Sequence, residues 1–451
     1  AFSIGDRIEL RPTAALFENA HLDNTPTSTG SFGLPKGTTA QQPTASATEG
    51  HIRYNTQNNL VYYSDGNNWL KLSAVQVVLS SITGTILNGV ATNLTLAGTG
   101  FLTSSLVVKL TPAGGSTSSV TVTPSSDTAA TVAVPSAIYG QSASTVIGIS
   151  VTNSDGTTSS TVNSTVVAAP TGGTITTSGG ERIHTFNSSG TFVNTLTLSN
   201  VEYLIIAGGG GGGVANGGGG GGGAGGYRNS FGTEASGRNS STESKISSLA
   251  AASYSIVVGG GGAGNVHGGA SGGVGVQGSN SSFNSIVSTG GGFGAGDSNQ
   301  TGGNGGSGGG AARNASNGTR GSGTSGQGFD GGLAAVNDGG GGGGAGAIGG
   351  NASSGSGGNG GNGLSSSITG SAVTRAGGGG GGAESPSNDN GGIGGAGGGG
   401  KGGQAGNVGS TPTAGTANTG SGGGASGDYN TGGTHNGQNG GSGVVIIRYA
   451  V

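Results

Sequence analysis

The sequence predicts a mainly β protein whose second half replaces a side-chain core with packed glycine helices. Three observations lead to this reading. Of the 113 glycines, 20 precede Gly208 and 93 follow from it, so the chain changes physical regime near Ala207. Before that point, short Val-, Thr-, Leu- and aromatic-rich runs alternate with Asn, Asp and Gly turns, as antiparallel strands do. After it, aliphatic runs recur between glycine tracts, and 16 of the 244 residues from Gly208 onward are charged. The expected order is a small N-terminal β module (1–75), a β-sandwich (76–169), opening β segments (170–207) and a glycine-rich domain of packed polyglycine II helices (208–451).

In the first module, Ile8-Glu9-Leu10-Arg11 alternates as a short strand does. A polar connector follows, from Leu22 to Gly50. His51 to Asn55, Leu60 to Tyr63 and Trp69 to Leu72 are strand-like and separated by turns at Gln57-Asn58-Asn59 and Ser64-Asp65-Gly66-Asn67, which predicts a β-meander. Such a meander is too small to stand alone, so copies of the chain are expected to assemble through it. Leu34-Pro35-Lys36-Gly37-Thr38-Thr39-Ala40-Gln41-Gln42-Pro43, Glu49-Gly50-His51-Ile52-Arg53-Tyr54-Asn55 and Asp65-Gly66-Asn67-Asn68-Trp69 together resemble a recurring segment of bacteriophage virion and tail-fibre proteins.

The second module carries short strands such as Asn93–Leu96, Leu106–Leu110 and Val146–Val151, punctuated at Asn88-Gly89, Gly114-Gly115 and Ser154-Asp155-Gly156. Regular short strands over such a length predict an antiparallel sandwich. Leu96-Ala97-Gly98-Thr99-Gly100-Phe101, Val132-Ala133-Val134-Pro135 and Val151-Thr152-Asn153-Ser154-Asp155-Gly156 resemble the immunoglobulin-like IPT/TIG family. That resemblance implies a spacer without catalytic residues. Ala168 to Gly173 reads as a linker. Arg182–Phe186 and Thr191-Phe192 flank Asn187-Ser188-Ser189-Gly190 and predict a hairpin, Asn194–Leu198 a further strand, and Val201–Ala207 a buried one.

The glycine-rich part excludes collagen, which needs glycine at every third position and abundant proline; the whole chain has 10 prolines. A flexible linker rarely carries runs such as Tyr254–Val258, Ser285–Val287 and Val444–Tyr449. Polyglycine II rods remain: left-handed, three residues per turn, with backbone groups that must bond to neighbouring rods. Runs of similar length, Gly208–Gly213, Gly217–Gly223, Gly339–Gly344 and Gly377–Gly382, suit rods crossing one slab with the interruptions as turns. Whether they pack within one chain or between chains stays open at this level. Residues 182–451 resemble the glycine-rich domain at the receptor-binding end of some phage tail fibres and adhesins. The resemblance rests on Thr185–Phe192, Glu202–Gly209 and Gly441–Tyr449. It implies a sandwich of helices whose loops contact the host, and it places Val201–Ala207 beside Val444–Tyr449 in one sheet.

The absence of cysteine excludes disulfides and thiolate chemistry. A net charge of −3 with scattered Lys and Arg offers no stripe for nucleic acid. The first residues lack the layout of a signal peptide. His21, His51, His184, His267 and His435 show no metal-ligand spacing and read as surface or turn residues. No catalytic residues, metal or cofactor are expected, and Gly-x-Gly-x-x-Gly matches carry no information in such a composition.

The expected function is a virion (phage tail) fibre or adhesin subunit, at the surface of an extracellular particle. Its partners would be copies of itself, favouring a trimer, other virion proteins through residues 1–75, and a host surface glycan or outer-membrane protein. Receptor-binding candidates are the aromatic and polar interruptions Tyr227, Arg228, Phe231, Phe293, Phe329, Tyr429, Asn430 and His435. The alternatives are a purely structural capsid decoration, head fibre or filament subunit, and a secreted or cell-surface bacterial adhesin.

Overall fold

Antiparallel strands and glycine rods account for nearly all regular structure in the computed structural model, which describes residues 34–48, 50–57, 60–71, 76–267, 272–313, 319–384, 390–404, 411–427 and 436–450. The chain divides into two compact units, residues 1–168 and 169–451. The strand expected at Ile8–Arg11 lies outside the described residues.

In the first unit, Ile52–Asn55, Leu60–Ser64 and Trp69–Lys71 form the expected meander, and Lys36–Gly37 adds to its edge in parallel. Asp65 closes the second turn: its Oδ1 accepts the backbone N–H groups of Asn67 (2.8 Å) and Asn68 (2.6 Å). Those donors favour the ionised carboxyl and lower its pKa. Two further sheets follow. One is ordered Ala129–Ala133, Asn93–Thr99, Val78–Thr83; the other is Ile86–Leu87, Val162–Val167, Val146–Asn153, Leu106–Pro112, Ser118–Val122. Alternation turns Leu106, Val108, Leu110, Ile147, Ile149 and Val151 into one core with Leu94 and Leu96.

In the second unit a single sheet runs Thr174–Ser178, Glu181–Phe186, Val444–Ala450, Leu198–Ile206, Tyr227–Asn229, with Ile246–Leu249 also pairing with Leu198–Ile206. The two aliphatic bookends lie side by side, antiparallel, from Glu202 opposite Arg448 to Ile206 opposite Val444. Every residue from Val201 to Ile206 is buried because both faces are covered. Val201, Tyr203, Ile205, Val445 and Ile447 enter one apolar cluster, whereas Leu204, Ile206, Val444 and Ile446 enter another, beneath the glycine rods.

The expected hairpin over residues 182–192 is not formed. Glu181–Phe186 already has strands on both edges, Thr174–Ser178 and Val444–Ala450. Gly190–Asn194 leaves that sheet and pairs with Ala252–Ile256. The strand expected over Asn194–Leu198 is also interrupted. The Asn194 carboxamide donates to the carbonyls of Leu249 and Ala250, and pairing resumes only at Leu198.

From Gly208 the chain crosses repeatedly between the sheet and an opposite face, reversing at each end. The rod 208–214 shows why this is polyglycine II. Gly208, Gly211 and Val214 donate to Ser279, Val276 and Gly273; Gly209 and Gly212 to Gly441 and Gln438; Gly210 and Gly213 to Gly223 and Gly220. Residues three apart thus address the same antiparallel neighbour, as a threefold helix requires. Its carbonyls accept with the same period from three parallel rods, 262–265, 291–297 and 423–426. None of the glycines 208–213 or 218–223 has a positive φ, so the rods share the left-handed form open to L-residues such as Val214 and Ala224.

These hydrogen bonds sort the crossings into five stacked rows rather than a single slab or a sandwich. The middle row holds 258–265, 207–214, 218–226, 338–345 and 347–352. Above it lie 272–280, 289–297, 307–313 and 328–334, then 301–306 and 319–324. Below it lie 436–443, 420–427, 376–383 and 357–363, then 411–416, 399–404 and 390–396. The four long glycine runs are all interior, and they bond within this one chain. A Cβ on Gly211, Gly222, Gly342 or Gly379 would run into a neighbouring carbonyl. Ordering each glycine costs roughly 1–2 kcal/mol and a hydrogen bond returns roughly 0.5–1.5 kcal/mol net, so the lattice sits near balance. The two apolar clusters at the sheet, at roughly 1.5–3 kcal/mol per large buried side chain, tip that balance toward the fold.

Candidate functional site

The alternating direction of the rods gives the bundle two unlike ends. At the sheet end the chain comes in through Thr174–Ser178 and leaves through Val444–Ala450. At the opposite end the rods are joined by described turns at 215–217, 298–300, 335–337 and 353–356. There two aspartates hold backbone ends together. Asp297 Oδ2 accepts from the N–H of Asn216 (2.7 Å) and Gly272 (3.3 Å), and its Oδ1 accepts from Arg313 Nε (3.1 Å). The buried Asp338 accepts from Glu384 N (3.1 Å) and Gly355 N (2.9 Å). A carboxylate suits this place because it takes several N–H donors that have run out of rod. The same end exposes apolar side chains: Val336 is 76% and Val266 68% exposed. These were not singled out in the sequence, although Leu333-Ala334-Ala335-Val336 is a small aliphatic interruption of the same kind as those that were.

The structure separates the sequence-predicted contact residues. Tyr227, Arg228 and Phe231 follow a descending rod and lie at the sheet end. Tyr227 is fully buried in the cluster with Ile206, Val444 and Ile446, so it packs the core and offers nothing to a receptor. Arg228 is tied to Glu243 through Nη2–Oε2 (2.7 Å) and Nε–Oε1 (3.0 Å), which holds its guanidinium more strongly protonated than usual. Phe231 lies under the Arg448 guanidinium, 4.8 Å from ring centre to Cζ. Phe329 begins an ascending rod at the sheet end and carries Arg238 at 5.3 Å. Phe293 is partly buried on the flank, and a Cβ on Gly303 would strike its ring. Tyr429, Asn430 and His435 lie outside the described residues; the described residues flanking them, Gly427 and Asn436, end rods at the face opposite the sheet.

His184 departs from the surface reading. It is fully buried at the centre of the sheet, and Nδ1 donates to the Gly172 carbonyl (2.7 Å) while Nε2 accepts from the Tyr449 hydroxyl (2.9 Å). Burial, with the charge of Arg182 nearby, pushes its pKa down to about 4 against the opposing pull of the Gly172 carbonyl. The ring also stacks on Tyr449 and meets Phe192 edge-on, so its role is to tie the linker to the last strand. Among the described residues, no group of three His, Cys, Asp or Glu side chains is placed to hold a metal ion, and no helix is long and apolar enough to cross a membrane.

A family described as a glycine-rich domain matches residues 185–450. No curated protein matches the chain, and no solved structure does.

Proposed function

The chain belongs to the glycine-rich domain family through residues 185–450, and from that premise we propose that it is a non-enzymatic fibre or adhesin subunit of a virion, meeting a host surface receptor with the rod ends opposite the sheet. The observation that carries this reading is the polarity of the bundle. Both chain ends of the second unit lie in the sheet, so the face farthest along the rods is free of them. That face gathers turns and exposed aliphatic side chains on a framework rigid enough to hold them in place. The sandwich, with its IPT/TIG-like sequence, serves as spacer, and the first module as the attachment to other virion proteins.

The purely structural reading, as a capsid decoration, head fibre or filament subunit, has one observation in its favour. Among the described residues between 34 and 71, no large apolar side chain is buried, while Arg53, Asn55 and Ser64 are. A sheet with so little core suits assembly through that module. Cell-binding assays separate the two readings. Fluorescent full-length chain is incubated with a panel of bacterial cells, comparing the parent with Leu333→Ser/Val336→Ser at the far face and Arg228→Ala at the sheet end. The adhesin reading expects binding that the far-face pair abolishes and Arg228→Ala leaves intact. Binding to no strain, or loss with Arg228→Ala alone, would sink it.

A further inference from the structure

A polyglycine lattice has no natural edge, because its outer rods present the same unpaired N–H and C=O groups that bind rods inside. In this chain the flank carries substitutes for the missing rods. On the outer rods 357–363 and 390–396, Asn359 and Asn362 stand where a carbonyl row would lie. Asn359 Oδ1 accepts the N–H of Ile393 (2.8 Å) and Asn362 Oδ1 that of Ala396 (3.0 Å). Both caps and both amides are three residues apart, the period of the rods themselves. The device recurs around the bundle: Asn304 Oδ1 takes Ser322 N (2.8 Å), Thr413 Oγ1 takes Lys401 N (2.8 Å) and Asn439 Oδ1 takes Gly264 N (2.9 Å). These residues also bring a Cβ to the outward position, as does Ile393, which is 67% exposed. Gly-Gly-x-Gly-Gly-x tracts such as 357–362 and 391–396 therefore have a spatial meaning. Two glycines in each triplet face other rods, and the third residue faces out.

We propose that this ladder of carboxamides, hydroxyls and outward Cβ atoms closes the flank against glycine rods of a second copy of the chain. Lateral fusion of bundles is the lattice counterpart of edge-to-edge pairing between β-sheets, and it is blocked here by local side chains rather than by charge. The glycine-rich domain stays a finite particle, and any assembly of copies runs through other parts of the chain.

The test uses the full chain. The quadruple variant Asn359→Gly/Asn362→Gly/Ile393→Gly/Ala396→Gly removes caps and Cβ atoms together, and light scattering reads its mass over a concentration series. We expect a mass that climbs with concentration beyond that of the parent. The double variant Asn359→Ala/Asn362→Ala removes the caps but keeps the Cβ atoms. Its mass should match the parent, while hydrogen exchange at the amides of Ile393 and Ala396 quickens about fivefold, as the loss of one hydrogen bond predicts. A quadruple variant with parental circular dichroism and parental mass overturns the proposal. Should that variant fail to fold, unchanged exchange in the double variant overturns it equally.

Discussion

The sharpest consequence of a core without side chains is that one methyl group should be ruinous in one glycine and harmless in another. Gly222 lies in an interior rod, and a Cβ there would stand 2.7 Å from the Gly210 carbonyl carbon and closer still to that carbonyl's oxygen. Neither partner can turn aside, since both atoms are backbone. The rods 207–214 and 218–226 would have to separate, stretching the bonds from Ala207 to Gly226 (3.1 Å), Gly210 to Gly223 (2.8 Å) and Gly213 to Gly220 (3.0 Å). At roughly 1 kcal/mol net for each bond, with a further penalty for buried groups left unpaired, Gly222→Ala should cost about 3–5 kcal/mol. Gly260 is the contrast. It lies on an outer rod with nothing within 4 Å of its would-be Cβ and without a positive φ. Gly260→Ala should be neutral or stabilise by about 0.5 kcal/mol, because alanine restricts the unfolded chain. Urea unfolding followed by hydrogen exchange at the backbone amides of Leu204 and Ile446, which lie in the sheet, reports on the second unit. Equal midpoints for the two variants would refute the lattice account.

Two further outcomes follow from the sheet. His184 is neutral in the fold with its pKa lowered to about 4, so the unfolded chain binds the extra proton between about pH 6.5 and 4; stability should be full above that window and fall through it as pH drops, by about 3 kcal/mol in total. Melting temperature against pH checks this, and a His184→Gln variant should flatten the dependence within that window. Arg448 is nearly buried, bonded to Glu181 (2.6 Å) and the Ile368 carbonyl (2.9 Å) and stacked on Phe231. Glu181→Ala should therefore cost about 3 kcal/mol by stranding a buried cation, and Glu181→Gln distinctly less, measured by the same unfolding assay.

Much of this architecture could be read from residue order, and what could not has a physical cause. The pairing of Val201–Ala207 with Val444–Tyr449 was legible through the family resemblance those segments carry, and in the structure it buries the two most aliphatic runs of a polar region against each other. The interior rods were legible because uninterrupted glycine is tolerated only where every direction is occupied. The hairpin at 182–192 was misread because a local turn signal cannot show that both edges of Glu181–Phe186 are already taken by segments remote in sequence. Tyr227 was taken for an exposed interruption for a related reason. An aromatic residue after a glycine run can end a rod at either face, and only the count of crossings decides which. His184 gave no signal, since its burial depends on Gly172 and Tyr449 meeting across the sheet. The outward asparagines were visible as a Gly-Gly-Asn period, but their partners, from another rod each time, were not.

The order in which the rods are laid down also bears on how the chain can be made. The rod 207–214 leaves the ribosome early in the domain, yet two of its neighbours, 423–426 and 438–441, follow about 200 residues later. The strand beside Leu198–Ile206, Val444–Ala450, comes later still. Until those residues arrive, the central rod has donors and acceptors without partners, and its aliphatic strand has an open edge. Folding of the second unit is therefore governed by contacts remote in sequence, which makes it slow and close to all-or-none. A nascent chain stalled before Val444–Ala450 would leave the edge of Leu198–Ile206 and part of the central rod unpaired. Successful production of the domain is a race between arrival of that last strand of the sheet and aggregation.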